Sequence, residues 1–545
     1  MYAKSESDGG IMKLLLKNGK IYQKRNLFTD ALYMENGYII SSGSKALLEE
    51  NTLKPSEIMD LDGKTVVPGF NDAHLHFYQA GVALSTVNLY GSASIEEIIT
   101  RSQAFLEKQG KNLNTLIGRG FNQDYFTEKR LPTRADLDRI SRDIPIVFTR
   151  TCSHLAVVNS AALEKLNLST PLPSIEGGQI DAASDGLPNG IFRENAIRLL
   201  DVLYEEESID SALFHIRAAA EKALSYGITS AQVNDIWLDN PEAQVVEEAY
   251  RRYAEENPSI RIYHQVYAKD VKTFSKRLES GFDRSESLFL KYGLLKMFAD
   301  GSLGARTAYL RKPYADDPST RGIPTMSQEL LESMIRTAED HGIQTAIHVI
   351  GDGALERVLD AYEKVIQDNR NRHGLIHVQI TDQNLLDRIR KLNLMVYAQP
   401  IFLHYDLHIL EDRVGKRLAD SSYAFGTMEN LGIRVAYSSD APIENFQVME
   451  NLHCAVNRQD LTLFPPEGYN MKEAVDRYTA LDNITANSAY MSFEENRKGS
   501  LLPGYYADLV ILEEPYFDVP ADRIKDIKVL MTIVNGQIRY DRRNS

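Results

Sequence analysis

Five short runs of this 545-residue sequence carry side chains able to hold a metal ion. The first is Val66-Val-Pro-Gly-Phe-Asn-Asp-Ala-His74-Leu-His76. In extended backbone, residues i and i+2 share a face, so His74 and His76 can aim both imidazoles at one point. Neutral imidazole is a common ligand for zinc and similar borderline metals. Alone, His-x-His is a weak signal, because a hydrogen-bonded pair in a loop reads the same way. Four further runs add weight. Leu294-Leu-Lys296-Met-Phe places a lysine inside a strand-like segment, Ala346-Ile-His348 and Leu375-Ile-His377 each place a histidine after an apolar run, and Tyr437-Ser-Ser-Asp440-Ala-Pro places an aspartate there. Each has a blander reading. His348 and His377 would serve as satisfied core histidines, Lys296 as a salt-bridge partner of Asp300 or another barrel carboxylate, and Asp440 as a helix N-cap before Ala441-Pro442.

The elements that must position these groups are apolar runs of strand length alternating with helical stretches, the pattern of a parallel sheet with crossover helices. Strands are expected at 65–69, 229–233, 261–266, 294–298, 344–348, 375–378, 394–399 and 434–438. Eight is the number that closes a (β/α)8 TIM barrel, in which every C-terminal strand end faces one mouth. Six candidate ligands from five strands would then surround one site. Residues 71–228 are too many for one crossover and must hold an insertion, placed at 78–225. It has strand-like runs at 115–120 and 144–149, a Gly/Pro-rich stretch at 171–190 that reads as a loop, and helices at 194–226. Asn-Gly pairs at Asn18, Asn36 and Asn535 sit between short β-rich runs at both ends of the chain, a strong hairpin signal. Neither terminal set buries a core alone. The expectation is an α/β protein with residues 12–64 and 499–545 forming a small composite β-sandwich and 65–498 forming the barrel.

Composition excludes several classes of function. With 61 Lys+Arg against 76 Asp+Glu the net charge is −15, which repels phosphate backbones and anionic membrane surfaces. No apolar run approaches the roughly 18 residues of a spanning helix, and the polar N-terminus lacks the apolar stretch of a signal peptide. Cys152 and Cys454 are too few for a disulfide framework. A cytoplasmic protein acting on a small molecule is expected, with no nucleic-acid or membrane partner; a homodimer is left open.

Further runs are Gly118-Arg-Gly-Phe-Asn122, Ser153-His154-Leu-Ala-Val-Val-Asn159, Lys296-Met-Phe-Ala-Asp300, Ala346-Ile-His348-Val-Ile-Gly-Asp352 and Gly499-Ser-Leu-Leu-Pro-Gly504-Tyr-Tyr-Ala507-Asp508. With the candidate ligands, they make the chain resemble the amidohydrolase superfamily, in its YtcJ-like branch known as amidohydrolase family 3, from about Lys13 to Tyr540. One departure is Phe121, where that branch usually has Trp, which bears on pocket shape rather than reaction class. The resemblance implies two divalent ions, zinc by expectation. His74, His76 and Asp440 would hold one, His348 and His377 the other, and Lys296 would bridge both as a CO2-derived carbamate. An ammonium with a pKa of about 10.4 repels cations, whereas the carbamate is an anionic oxygen ligand. The implied reaction is attack of a metal-bound hydroxide on a carbonyl carbon, with Asp440 as general base and then acid. It would break a non-peptide carbon–nitrogen bond in a small molecule such as an N-acyl or N-formyl amine. Alternatives on the same site are a lactone, carbamate or phosphoester hydrolase, or a non-catalytic regulatory or small-molecule binding protein, which the complete ligand set disfavours.

Substrate contacts are expected from Asn122, His154 and Asn159 in the insertion, from Arg306, and from Gln399 and His404 after the seventh strand. Local loop hydrogen bonding, or for Arg306 a pair with Asp300, is the alternative. Asp352 is placed to orient His348. His215, His264, His341, His373, His408 and His453 read as structural or solvated.

Overall fold

In the computed structural model, which describes residues 12–109, 113–150, 154–168, 172–175, 177–184, 186–204, 206–282 and 287–544, eight strands lie side by side in chain order. They are β1 (Phe70–Leu75), β2 (Ile228–Trp237), β3 (Arg261–Tyr267), β4 (Leu290–Phe298), β5 (Gln344–Val349), β6 (Gly374–His377), β7 (Met395–Ala398) and β8 (Val435–Tyr437). Every neighbouring pair from β1·β2 to β7·β8 is parallel. Strands covered on both faces read as continuous apolar runs rather than alternating ones, as in β7, where every residue is buried. The interior holds Ala73, Tyr263, Leu294, Ala346, Ile376, Met395, Tyr397 and Ala436, large and small side chains filling layers. Burying each Leu or Ile there stabilises by roughly 2 kcal/mol.

The crossover helices follow the helical period. Gln328–Asp340 buries Leu331, Met334, Ile335 and Ala338, spaced three and four apart, and Ser327 caps it by accepting from the Leu330 amide. Gln383–Lys391 is capped likewise by Asp382.

β8 and β1 form the two ends of the ladder, and the barrel is joined there by the segment after β8. The Asp440 amide donates to the His74 carbonyl at 3.0 Å and the His76 amide to the Ala441 carbonyl at 2.7 Å. The Asp72 carboxylate accepts from the Ser439 amide at 3.1 Å and from its hydroxyl at 2.5 Å.

The first strand corrects the expectation. Thr65–Pro68 is not in the barrel; it lies in a six-stranded sheet between Lys20–Lys24 and Leu509–Leu512. Barrel pairing begins at Phe70, and the chain changes sheets at Gly69, where a Cβ would collide with the Thr229 side chain. The boundary expected at residue 65 therefore moves past 68. A four-stranded sheet holds Lys13–Lys17, Leu32–Glu35, Tyr38–Ser42 and Ile58–Asp60. It shares an apolar core with the six-stranded one, including Leu16, Leu32, Val66, Leu509 and Ile533.

The chain divides into one compact unit reaching to Tyr78 and resuming at Ala219, and a second spanning Gln79–Ala218. The second has its own six-stranded sheet, in which Leu116–Phe121 and Ile146–Arg150 are parallel neighbours. The stretch expected to be a loop contains the strand Gly178–Ala182 and the start of its antiparallel partner Pro188–Glu194. Its glycines mislead as breakers, since Gly190 at φ +94° lies within a strand. Cys454 is buried with a free thiol, while Cys152 and Ser153 fall outside the described residues. No helix of the described residues is long and apolar enough to cross a membrane.

Candidate metal centre

The C-terminal strand ends bring the six predicted ligands together. His74 lies on β1 and His76 just beyond it, and their Nε2 atoms each stand 3.5 Å from Asp440 Oδ1. One ligand atom from each of the three falls within 4.8 Å of the others. Lys296 on β4 is fully buried, with Nζ 3.4 Å from His74 Nε2. His377 Nε2 and His348 Nδ1, from β6 and β5, are 2.9 Å apart, and the His74 and His377 ring centres are 6.2 Å apart.

The outward nitrogens fix where each ring carries its proton. His76 Nδ1 faces the Asn234 carbonyl at 3.0 Å and His348 Nε2 faces the Gly301 carbonyl at 2.9 Å; a carbonyl only accepts, so both nitrogens are N–H donors. His74 Nδ1 faces Gln265 Oε1 at 2.6 Å and His377 Nδ1 faces Gln399 Oε1 at 2.7 Å. These oxygens are acceptors too, because Gln265 Nε2 donates to the Ala73 carbonyl and Gln399 Nε2 donates to the Tyr397 carbonyl and Ser438 hydroxyl. Every inward nitrogen therefore presents a lone pair, with the outer acceptor orienting the ring as in metal-bound histidines.

Without a cation the arrangement is unsatisfied. Two imidazole lone pairs oppose each other at 2.9 Å, a few tenths of an ångström inside the ~3.3 Å that separates two ligands of a tetrahedral ion. Asp440 Oδ1 is buried without a hydrogen-bond partner, a state that costs a carboxylate several kcal/mol unless it is paired. The residues fit divalent metal ions.

Electrostatics agree. Burial, followed by the Lys296 charge, holds His76 at about 4 and His348 at about 3. The same causes, with neighbouring imidazoles, push His74 and His377 well down. All four are neutral near pH 7, the form that ligates. Burial lowers the Lys296 ammonium and raises the Asp440 carboxyl. The backbone is strained at the same strand ends, with His377 at φ +76°, Val378 at +52° and Asp440 at +57°. These left-handed conformations cost a non-glycine residue about 1 kcal/mol or more.

A family model described as amidohydrolase family matches residues 57–540. The chain belongs to the amidohydrolase family. It is 32% identical to "Putative amidohydrolase YtcJ" of Bacillus subtilis (strain 168), covering 97% of this chain and all of that protein. It is 27% identical to "N-substituted formamide deformylase" of Arthrobacter pascens over 98% of this chain and 99% of the other. An uncharacterized metal-dependent hydrolase from Pyrococcus horikoshii OT3 has a similar crystal structure, with a TM-score of 0.75 and 30% identity over 93% of this chain and 99% of that one.

The remaining predicted site residues of this amidohydrolase have other partners. Arg306 forms a bidentate pair with Asp316 at 3.1 and 2.8 Å, not with Asp300, which accepts from the Tyr309, Ile350 and Gly351 amides. Gln399 is buried and holds His377 rather than forming a pocket wall. His404 Nδ1 accepts from the Leu461 amide at 3.3 Å. Asp352 binds Arg311, so the Gly301 carbonyl orients His348 in its place. No helix begins at Asp440; the next starts at Val448. Within the insertion unit, His154 pairs with Glu194 at 2.8 Å and is exposed. There, Asn122 Oδ1 accepts from Arg150. Asn159 is a fully buried cap whose amide is used locally. Sequence reading missed Gln265, Asn234, Gly301, Asp72 and Ser439. Gln265 had one signal, a buried-type strand interrupted by an amide.

Proposed function

We propose that this amidohydrolase hydrolyses a non-peptide carbon–nitrogen bond of a small N-acyl or N-formyl amine with two divalent ions, zinc by preference. The observation that carries the reading is the set of four oriented imidazoles with inward lone pairs, two of them 3.5 Å from a buried Asp440 oxygen that accepts no hydrogen bond. The choice of bond is supported by the likeness to a formamide deformylase across nearly the whole chain.

His74, His76 and Asp440 would hold one ion and His348 and His377 the other. The ions would polarise a carbonyl and lower the pKa of water towards about 7. Lys296 would join the two as a carbamate. Its neutral amine attacks CO2, a nitrogen–carbon bond forms, and one proton leaves to water; burial favours the neutral amine this needs. Asp440 Oδ1, with no other partner, takes the proton of the attacking water and returns it to the departing nitrogen, because an amine leaves poorly unless protonated.

The test is a turnover screen of zinc- and bicarbonate-loaded protein against N-formyl, N-acetyl, carbamate, lactone and phosphoester substrates. Elemental analysis should find two metal ions per chain, and the formyl or acetyl amines should be consumed fastest. Activity confined to esters would overturn the choice of bond, and a metal-bearing protein that turns over nothing would overturn the enzyme reading.

A further inference from the structure

Three aromatic side chains stand in the layer next to the ligands. Trp237, Tyr267 and Phe298 end β2, β3 and β4, and each is only half-buried although the strands beneath are almost wholly buried. Ladder register sets their direction. Lys296 and Phe298 are two apart on β4 and share a face. Tyr267 is the ladder partner of Lys296 and Trp237 that of Tyr267. All three therefore project on the side where Lys296 meets the histidines.

The rings form one contiguous surface, with centres 4.6 Å apart for Trp237 and Tyr267, 5.4 Å for Trp237 and Phe298, and 5.5 Å for Tyr267 and Phe298. It touches the site at two points. The Trp237 indole N–H donates to the Asn234 carbonyl that also accepts from His76. The Phe298 ring lies 5.4 Å from the His348 ring and 4.5 Å from Lys296 Nζ.

From this surface we infer that the substrate carries a planar aromatic group, joined to the scissile bond by one or two atoms, which packs on Trp237, Tyr267 and Phe298. Partly exposed rings beside polar ligands lose apolar hydration only when an apolar group covers them. Ring faces also prefer an offset or edge-on aromatic partner. A cationic group, the other natural partner of aromatic faces, would be repelled by the divalent ions that His348 and its neighbours would hold. The short link follows from the 5.4 Å between Phe298 and His348.

The inference rests on the hydrolase reading above, and Trp237 allows the two to fail separately. It is the only tryptophan in the chain, so red-edge excited fluorescence reports on this wall alone. N-Benzylacetamide, N-(cyclohexylmethyl)acetamide and N-methylacetamide are compared on zinc-loaded full-length protein by kcat/KM and by fluorescence titration. The benzyl compound should exceed the cyclohexylmethyl one about five- to tenfold in kcat/KM and should change Trp237 emission saturably. Phe298→Leu should bring that ratio towards one, and Tyr267→Leu should lower it if Phe298→Leu fails to fold. A saturable benzyl-selective fluorescence change without turnover would uphold the wall and sink the hydrolase reading. Equal kcat/KM for the benzyl and cyclohexylmethyl amides with unchanged Trp237 emission would overturn the wall.

Discussion

Both ends of the barrel bury charge, and they treat it in opposite ways. At the N-terminal end, Arg261 at the start of β3 makes two bonds to Asp508, at 2.7 and 3.0 Å, and its guanidinium lies 4.0 Å from the Tyr506 ring centre. Glu494 sits between Lys291 at 2.8 Å and Lys498 at 2.5 Å, and Lys498 also donates to Ser230. Each charge has an opposite one within the chain. Burial alone would push the Glu494 carboxyl up, yet Lys498 and Lys291 outweigh it and hold it at about 2. Burial pushes Lys498 itself down, so the net gain is smaller than the shift of Glu494 suggests. At the C-terminal end, His74 and His76 each stand 3.5 Å from the Asp440 Oδ1, a buried carboxylate oxygen that accepts no hydrogen bond. Buried charge satisfied by the chain serves stability, whereas buried ligands left unsatisfied mark where something outside the chain belongs.

The largest effect expected from breaking this contrast is at the mouth. His74→Ala combined with His76→Ala should remove metal by elemental analysis and lower turnover by at least about a thousandfold, while the metal-free protein melts no lower than metal-free wild type. A metal-free variant that melts far below it would erase the distinction between the two ends. Next, Glu494→Gln leaves the buried Lys498 and the half-buried Lys291 without their carboxylate and should cost about 3–5 kcal/mol in denaturant unfolding, with metal content unchanged. An unaltered unfolding midpoint would mean the lower network contributes nothing.

Smaller effects sharpen the comparison. Gln265→Leu and Gln399→Leu remove the acceptors that orient His74 and His377, and should weaken metal retention about 10–100-fold in chelator competition. Wild-type retention in both would show that the glutamines do not position the ligands. The pH dependence of the lower network has a definite sign. The folded pKa of Glu494, about 2, lies below its ordinary 4.5, so this contribution is complete above pH 4.5 and is lost as pH falls towards 2. It amounts to at most roughly 3 kcal/mol, less what burying Lys498 costs. Unfolding free energies between pH 6 and 3 should fall more steeply in wild type than in Glu494→Gln, and parallel curves would contradict the assignment.

Much of the site was legible because its candidate ligands obey strand rules. His74 and His76 are two apart in extended chain, and Lys296, His348, His377 and Asp440 lie in or just after apolar runs whose ends a parallel barrel gathers. The outer acceptors were not legible. Gln265 and the Asn234 and Gly301 carbonyls serve ligands on other strands, and only ladder register selects them. Thr65–Pro68 and Phe70–Leu75 have Gly69 alone between them, so nothing local shows that they enter different sheets. What separates them is pairing with Leu509–Leu512 on one side and β2 on the other.

By itself, then, the sequence determined the types of the candidate ligands, the alternation of strand and helix, and an insertion too long for a crossover, since each depends on local spacing and composition. The tertiary structure alone decided which groups are satisfied. Arg261 finds Asp508 across 247 residues, whereas Asp440 finds no hydrogen bond for its Oδ1. Desolvation and pairing depend on what surrounds a residue in space, and local sequence does not carry that information.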